Sequence, residues 1–388
     1  MRRWFTAGTV GLLLIFVLAG GIVAGLVRLG GYCGADFLPI EVDLAVEPYI
    51  QNVTATAATI MWRTPLESEG AVSFGKTPDL GRTVASDEAR IHAVRLTDLE
   101  PNTRYFYRAE TLGMPGDLKS FHTSPGPDGT ITAAVVGDSG SGNPAQYQVA
   151  EVMLAMEPDL VLHTGDVVYP RGGECRYDDR YYDPYRELIG SVPVYPVLGN
   201  HDVLTDNGEP YLEAFELPAD GSGTERFYSF DVGPVHVAAL DSELYYRDDS
   251  IPPAVQKAWL VEDLRQTDRP WKVVVIHRPP FNSSPYHGPD PQVLEDLVGI
   301  FTAEGVDVVF AAHEHVYERL KPIDGVTYFV TGGGGGRLRG VGTSDLTALS
   351  ALRHHALKVE ASPERLVIEA IGIGHEVFDR VELTQAGP

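Results

Sequence analysis

The sequence predicts an all-β sandwich followed by a larger α/β body, and three features of the text predict it. Residues 44–123 break into short strand-like runs separated by turn residues. Ser124-Pro125-Gly126-Pro127-Asp128-Gly129 then punctuates the chain, and beyond it continuous apolar runs alternate with amphipathic stretches. At 388 residues there is room for two domains and a sizeable core. With 44% hydrophobic and 22% charged residues, the composition excludes global disorder, collagen and coiled coil.

The chain opens with Met1-Arg2-Arg3, runs apolar from Trp4 to Val27 and closes that run with Arg28. Residues 1–30 therefore predict a segment long enough to span a bilayer as a helix. It reads as an uncleaved membrane anchor with its basic end in the cytoplasm, or as a cleaved signal. Either way the remainder is expected outside the cytoplasm, membrane-anchored or secreted. In the 44–123 region, residues 59–64, 70–74 and 103–108 read as strands, with Trp62 in an early one. Leu99-Glu100-Pro101-Asn102-Thr103-Arg104-Tyr105 has a tyrosine-corner pattern, and the region resembles a fibronectin type III domain. It holds no nucleophile or metal-ligating cluster, so a structural or contact module is expected. From 130 to 380, strands are expected at 131–136, 159–162, 192–198, 235–240, 271–276, 306–311 and 326–330. Helices are expected at 144–156 and 253–267, the second burying Val255, Trp259 and Leu264. Apolar runs without alternation mean a sheet covered on both faces.

Acidic residues outnumber basic ones by 54 to 30, a net −24 spread along the chain. That surface repels phosphate backbones, so nucleic-acid binding is not expected, and any phosphate-seeking site must carry its own positive charge. Cys33 and Cys175 are the two cysteines. They exclude a thiolate metal site or a disulfide scaffold; two unpaired thiols are expected, although an oxidising compartment permits one bridge.

Five of the apolar runs end in metal-ligating residue types. They lead into Gly137-Asp138, Gly165-Asp166, Gly199-Asn200-His201-Asp202, His277 and His313-Glu314-His315. One Gly-Asp at a strand end is an ordinary turn. Five such ends in one α/β body should converge, because ligands bind off the carboxyl ends of the strands. Carboxylates, an amide oxygen and imidazoles without thiolate suit iron, manganese or zinc. In an extended segment His313 and His315 point one way and Glu314 the other, so a pair of metals could take one histidine each.

Gly137-Asp138-Ser139-Gly140, Gly165-Asp166-Val167-Val168-Tyr169, Gly199-Asn200-His201-Asp202, Val274-Val275-Ile276-His277 and Ala312-His313-Glu314-His315-Val316-Tyr317-Glu318-Arg319 resemble the five motif blocks of purple acid phosphatases, within the calcineurin-like metallophosphoesterases. The resemblance spans about 44–375, because those enzymes can also carry an N-terminal fibronectin-like domain. It implies a four-layer α/β/β/α sandwich. One metal would take Asp138, Asp166, Tyr169 and His315, and the other Asp166, Asn200, His277 and His313. Gly140 stands where most metallophosphoesterases have a metal-binding histidine, and Tyr169 offers a phenolate instead. Two carboxylates, a phenolate and a bridging hydroxide fall one charge short of a trivalent plus a divalent ion, so the centre keeps positive charge for a phosphate. Fe(III) with Fe, Zn or Mn as the divalent ion fits that set.

The implied activity is hydrolysis of small phosphate monoesters through a metal-bound hydroxide. His201 and His287 match the positions assigned to phosphate binding and leaving-group protonation; Tyr286 stands where plant members often have a second histidine. A phosphodiesterase or pyrophosphatase on the same core is the alternative, and a non-catalytic surface binding protein is a third reading. His92, His122, His236, His354, His355 and His375 have no motif context and His163 reads as a packed strand residue. Glu318 and Arg319 are expected in supporting contacts. Gly332–Gly336 lacks the Lys-Ser/Thr of a P-loop, so a backbone turn passing close to the centre is expected.

Overall fold

The computed structural model describes residues 15–18, 21–24, 46–219, 221–247 and 251–385. The chain divides into a small unit, Met1–Glu41, and a large one, Val42–Pro388. In the small unit, Ile15–Leu18 pairs antiparallel with Gly21–Ala24. The spanning helix expected over residues 1–30 is thus replaced by strands where that segment is described, and the rest of it lies outside the described residues. Among the described residues no helix is long and apolar enough to cross a membrane.

The large unit begins with six antiparallel strands. Ala58–Gly75 is the longest; its first half pairs with Val46–Gln51 and its second half with Arg104–Thr111, while Arg82–Leu96 follows it along its length. Bulges between Arg63 and Gly70 let this one strand bend between its pairing with Val46–Gln51 and its pairing with Arg104–Thr111. Trp62 is fully buried, donates to Thr111 Oγ1 at 3.0 Å and stacks on His92. The Glu100 N–H donates to Tyr105 Oη at 3.0 Å, which completes the tyrosine corner. Other tyrosines fasten this module to the α/β body: Tyr49 Oη donates to Ala214 O at 2.9 Å and Tyr107 Oη to Gly190 O at 2.7 Å.

The α/β body holds two sheets. The first runs Val194–Pro196, Leu160–His163, Ile131–Val136, His355–Ala361, Arg365–Gly372, Val377–Thr384, with its first three strands parallel. The second runs Tyr228–Val232, Val235–Ala239, Trp271–Val275, Val308–Ala311, Thr327–Thr331, Tyr317–Leu320, Thr347–Ala351, with four central parallel strands. Strand alternation decides what each covers. Val273, Val275, Val308 and Phe310 face a core shared with Val135, Leu162 and Leu357 of the first sheet. Val274, Ile276 and Val309 face the opposite way, into a second core with Leu260, Leu264, Val293, Leu297 and Phe301. Those last five belong to the helices Pro253–Gln266 and Pro291–Ala303, and Pro144–Ala155 covers the first sheet, giving the layer order α/β/β/α. Each fully buried Leu or Phe of these faces contributes roughly 1.5–3 kcal/mol. Asn143 and Asp290 accept the first free N–H groups of two of these helices, each followed by a proline at the first helical position. In Pro253–Gln266 the buried stripe is Gln256, Leu260 and Leu264; Val255 is exposed and Trp259 half-buried, which corrects the expected face by one position.

Cys175 is disulfide-bonded, which corrects the expectation of two free thiols; Cys33 lies outside the described residues. His236 is held between Asp231 Oδ1 and Asp263 Oδ2, both at 2.8 Å, with Arg269 on Asp231. Burial alone would lower its pKa, but the two carboxylates win and raise it to about 9. A raised histidine stabilises the fold below its unfolded value near 6.5 and loses that contribution as pH rises through the folded value. His236→Gln should therefore cost about 3 kcal/mol at pH 6. In thermal melts of the two proteins against pH, the gap should close above about pH 9; a gap independent of pH would refute the ion-pair account.

Candidate metal centre

The centre forms where the carboxyl ends of both parallel strand sets meet. Asp138 follows Ile131–Val136, Asp166 and Tyr169 follow Leu160–His163, and Asn200 and His201 follow Val194–Pro196. From the second sheet, His277 follows Trp271–Val275, and His313 and His315 follow Val308–Ala311. The oxygen donors thus come from one sheet and the ligand-type imidazoles from the other. Asp138, Asp166 and His277 place one donor atom each within 4.8 Å of one another, and all three are buried. Around Asp138 Oδ1 lie Tyr169 Oη at 2.9 Å and His315 Nε2 at 3.1 Å; around His277 Nε2 lie Asn200 Oδ1 at 3.1 Å and Asp166 Oδ2 at 3.7 Å.

Backbone geometry sets these positions. Asp138, Asp166 and His313 have φ of +52°, +55° and +67°, left-handed values that turn the chain sharply off each strand. The last corrects an expectation, because residues 312–316 are not an extended segment. The turn still separates Glu314 from its neighbours: its Oε1 accepts from His287 N and Nδ1 at 2.9 Å, and its Oε2 from Ser284 Oγ at 2.5 Å. The His313 ring lies 5.1 Å from that of His277 and 4.4 Å from that of His287. Asp202, the last residue of its block, accepts the N–H groups of Val167, Val168 and Gly199 at 3.0–3.1 Å and so ties the Asp166 turn to the Asn200 turn. Buried His163 accepts from Gly165 N and pairs with Ser139 Oγ at 2.8 Å, bridging the two aspartate turns as a packed residue; burial holds its pKa down to about 3.

The glycines mark close approaches. A Cβ on Gly140 would overlap the Val167 carbonyl, so no histidine can stand there. Cβ atoms on Gly332 and Gly336 would press on Asp138 Oδ2 and the His315 ring, at 2.6 and 2.7 Å. The glycine run therefore passes directly against the centre. Glu318 accepts from Ser283 N and Thr347 Oγ1, and Arg319 is bidentate to Asp379.

The donor chemistry fits cations. His277 Nδ1–H donates to Thr164 O and His315 Nδ1–H to Arg337 O, both at 2.8 Å, which leaves the lone pair of each Nε2 facing inward. There it meets an amide oxygen and carboxylates, acceptors that repel it unless positive charge lies between them. Burial opposes the Asp138 charge; His315 and His277, if protonated, would hold its carboxyl well below the usual range, a part that falls to a cation when both rings are neutral. Burial, then Asp138 and Asp166, push the Tyr169 phenol well above 10, so only a strong Lewis acid would ionise it. Burial above all holds His313 down to about 2, which keeps its ring neutral.

His201 and His287 sit on either side of this cluster. The His201 N–H donates to Asp166 Oδ1 at 2.8 Å, its Nδ1 lies 2.6 Å from Pro170 O, and its ring meets Tyr169 edge-on at 4.6 Å. His287 is more exposed, and Glu314 holds its Nδ1. Glu314 and Asp202, which hold the site's turns and His287 in place, were missed by sequence reasoning. Glu314 carried a signal in its alternation with His313 and His315, and Asp202 in its place within a block.

Residues 131–317 match the calcineurin-like phosphoesterase family and residues 45–123 the purple acid phosphatase N-terminal domain. Purple acid phosphatase 23 of Arabidopsis thaliana is 30% identical, over 65% of this chain and 63% of its own length. Acid phosphatase type 7 of Mus musculus is 31% identical, over 60% of this chain and 57% of its own length. The chain thus spans about three-fifths of the length of these curated relatives. The fold is shared with a purple acid phosphatase, PPD1, from yellow lupin seeds, with a TM-score of 0.77 and 20% identity over 87% of this chain and 74% of that one.

Proposed function

This chain belongs to the calcineurin-like metallophosphoesterases, in the purple acid phosphatase branch with its own N-terminal domain, and from that premise we propose that it hydrolyses small phosphate monoesters at a centre of two cations. The observation that carries the reading is the meeting of Asp138, Asp166 and His277 within 4.8 Å, ringed by Tyr169, Asn200 and His315. One cation would take Asp138, Asp166, Tyr169 and His315; the other would take Asp166, Asn200, His277 and His313. Trivalent iron suits the Tyr169 side, and iron, zinc or manganese the other. Bound there, the pair acidifies water and offsets the charge of the phosphoryl oxygens.

The chain's own residues do the rest. His201 spends its backbone N–H on Asp166 and its Nδ1 on Pro170 O, so Nε2 is the nitrogen left for a phosphoryl oxygen. His287 spends Nδ1 on Glu314 and keeps Nε2 for the leaving oxygen, to which it passes a proton. Glu314→Gln should lower kcat on alkyl phosphates about tenfold with little change in KM. The loss should be smaller on p-nitrophenyl phosphate, whose leaving group needs little protonation; equal losses on both would remove His287 from that role.

The direct test is turnover of p-nitrophenyl phosphate by protein shown to hold two metals per chain; no turnover rejects the reading. Faster hydrolysis of bis(p-nitrophenyl) phosphate than of the monoester would make the enzyme a diesterase. Iron beside Tyr169 should give a visible charge-transfer band that Tyr169→Phe abolishes, whereas a colourless active protein holds zinc or manganese. Export and anchoring rest on the Met1–Arg28 pattern, and cell fractionation decides them.

A further inference from the structure

In a chain of net charge −24, an arginine beside the centre without a carboxylate partner needs a reason. Arg278, next to His277, has a partner: it is bidentate to Glu243 at 2.7 and 2.9 Å. Arg339 has none among the described residues. Its backbone is nonetheless fixed on the centre, because its N–H donates to His315 O at 3.2 Å and the run Gly332–Gly336 just before it is pressed against Asp138 and His315. The guanidinium Nη1 lies 3.0 Å from His287 Nδ1 and the Cζ 6.0 Å from the ring centroid of Tyr286. Glu314 Oε1 already accepts from both the backbone N–H and the Nδ1 of His287, so in that tautomer the ring offers Arg339 only the Nε2 lone pair, a long contact at 3.5 Å from Nη1. Most of the guanidinium's five N–H donors stay unspent. Tyr286 beside it is 61% exposed, a broad aromatic face open to solvent.

We propose that Arg339, with Tyr286 as its wall, is an anion subsite on the leaving-group side of the centre, selecting phosphoesters whose leaving group is planar and carries a second negative charge. The side is fixed by His287, the residue given to the leaving oxygen, so the inference rests on the phosphatase reading. A guanidinium presents a fork of N–H donors that matches a carboxylate or phosphate, and an exposed tyrosine offers a face to a flat group. No other positive group is held so close to His287 among the described residues.

The test compares kcat/KM for 4-carboxyphenyl phosphate and phenyl phosphate, a pair that differs in one anionic group. Arg339→Ala should lower the ratio of the two about tenfold or more, the worth of one charge-assisted hydrogen bond. Arg339→Lys should recover part of it, and Tyr286→Ala should lower it about threefold. An unchanged ratio, or equal losses on both esters, overturns the subsite. The affinities of phenylphosphonate and 4-carboxyphenylphosphonate, measured by calorimetry, must shift in the same sense and need no turnover. Failure of the metal-loaded parent to hydrolyse phenyl phosphate would instead sink the phosphatase reading, and the phosphonate pair would still decide the subsite.

Discussion

Asp166→Asn is expected to lower kcat/KM for p-nitrophenyl phosphate by about a thousandfold and to leave fewer than two metals per chain. Asp166 stands between the two halves of the centre. Its Oδ2 faces His277 at 3.7 Å, and Oδ1 accepts the His201 N–H at 2.8 Å. Asparagine can keep the second contact, so the turn should survive while the charge is lost. Circular dichroism and a thermal melt check that the fold is intact; metal analysis and turnover report the rest. A variant that keeps both its metals and most of its activity would remove Asp166 from the core of the site.

Gly140→Ala is expected to cost about 3 kcal/mol or more in denaturant unfolding, large for a single methyl group. The added Cβ would overlap the Val167 carbonyl, and no flexible side-chain end lies there to yield. Relief requires the 167–168 backbone to move, and that segment carries Asp166 at one end and Tyr169 at the other. Activity should fall with stability. Gly140→His, which would write back the imidazole that most metallophosphoesterases place here, should fail for the same reason and gain no ligand.

Much of this arrangement was legible from one rule, that chemistry gathers where parallel strands end. The strand-end residues from Asp138 to His315 lie together because their strands are parallel, all but the edge strand Val194–Pro196 are central, and they are buried on both faces and therefore written as apolar runs. The strands His355–Ala361, Arg365–Gly372 and Val377–Thr384 pair antiparallel, all three beyond the parallel set, and polar residues break them into apolar runs of at most three, so no long continuous run betrayed them. The helix Pro291–Ala303 had its signal in Asp290-Pro291, a cap and a first-turn proline, and in Val293, Leu297 and Phe301 at helical spacing. Single-residue turns such as His313 at φ +67° leave little trace in composition, because histidine carries no marker for a left-handed backbone. Arg339 escaped because its role comes from a loop that folds back onto His315, a relation that periodicity does not encode.

The division of donors between the sheets has a mechanical consequence. Asp138, Asp166, Tyr169 and Asn200 are carried by one sheet and His277, His313 and His315 by the other, so ions bound between them would act as rivets through the seam. Filling the centre should raise the melting temperature of the entire α/β body, and a chelator should lower it, by an amount that follows the free-metal concentration logarithmically. A calorimeter would then read occupancy directly, with no substrate in the cell.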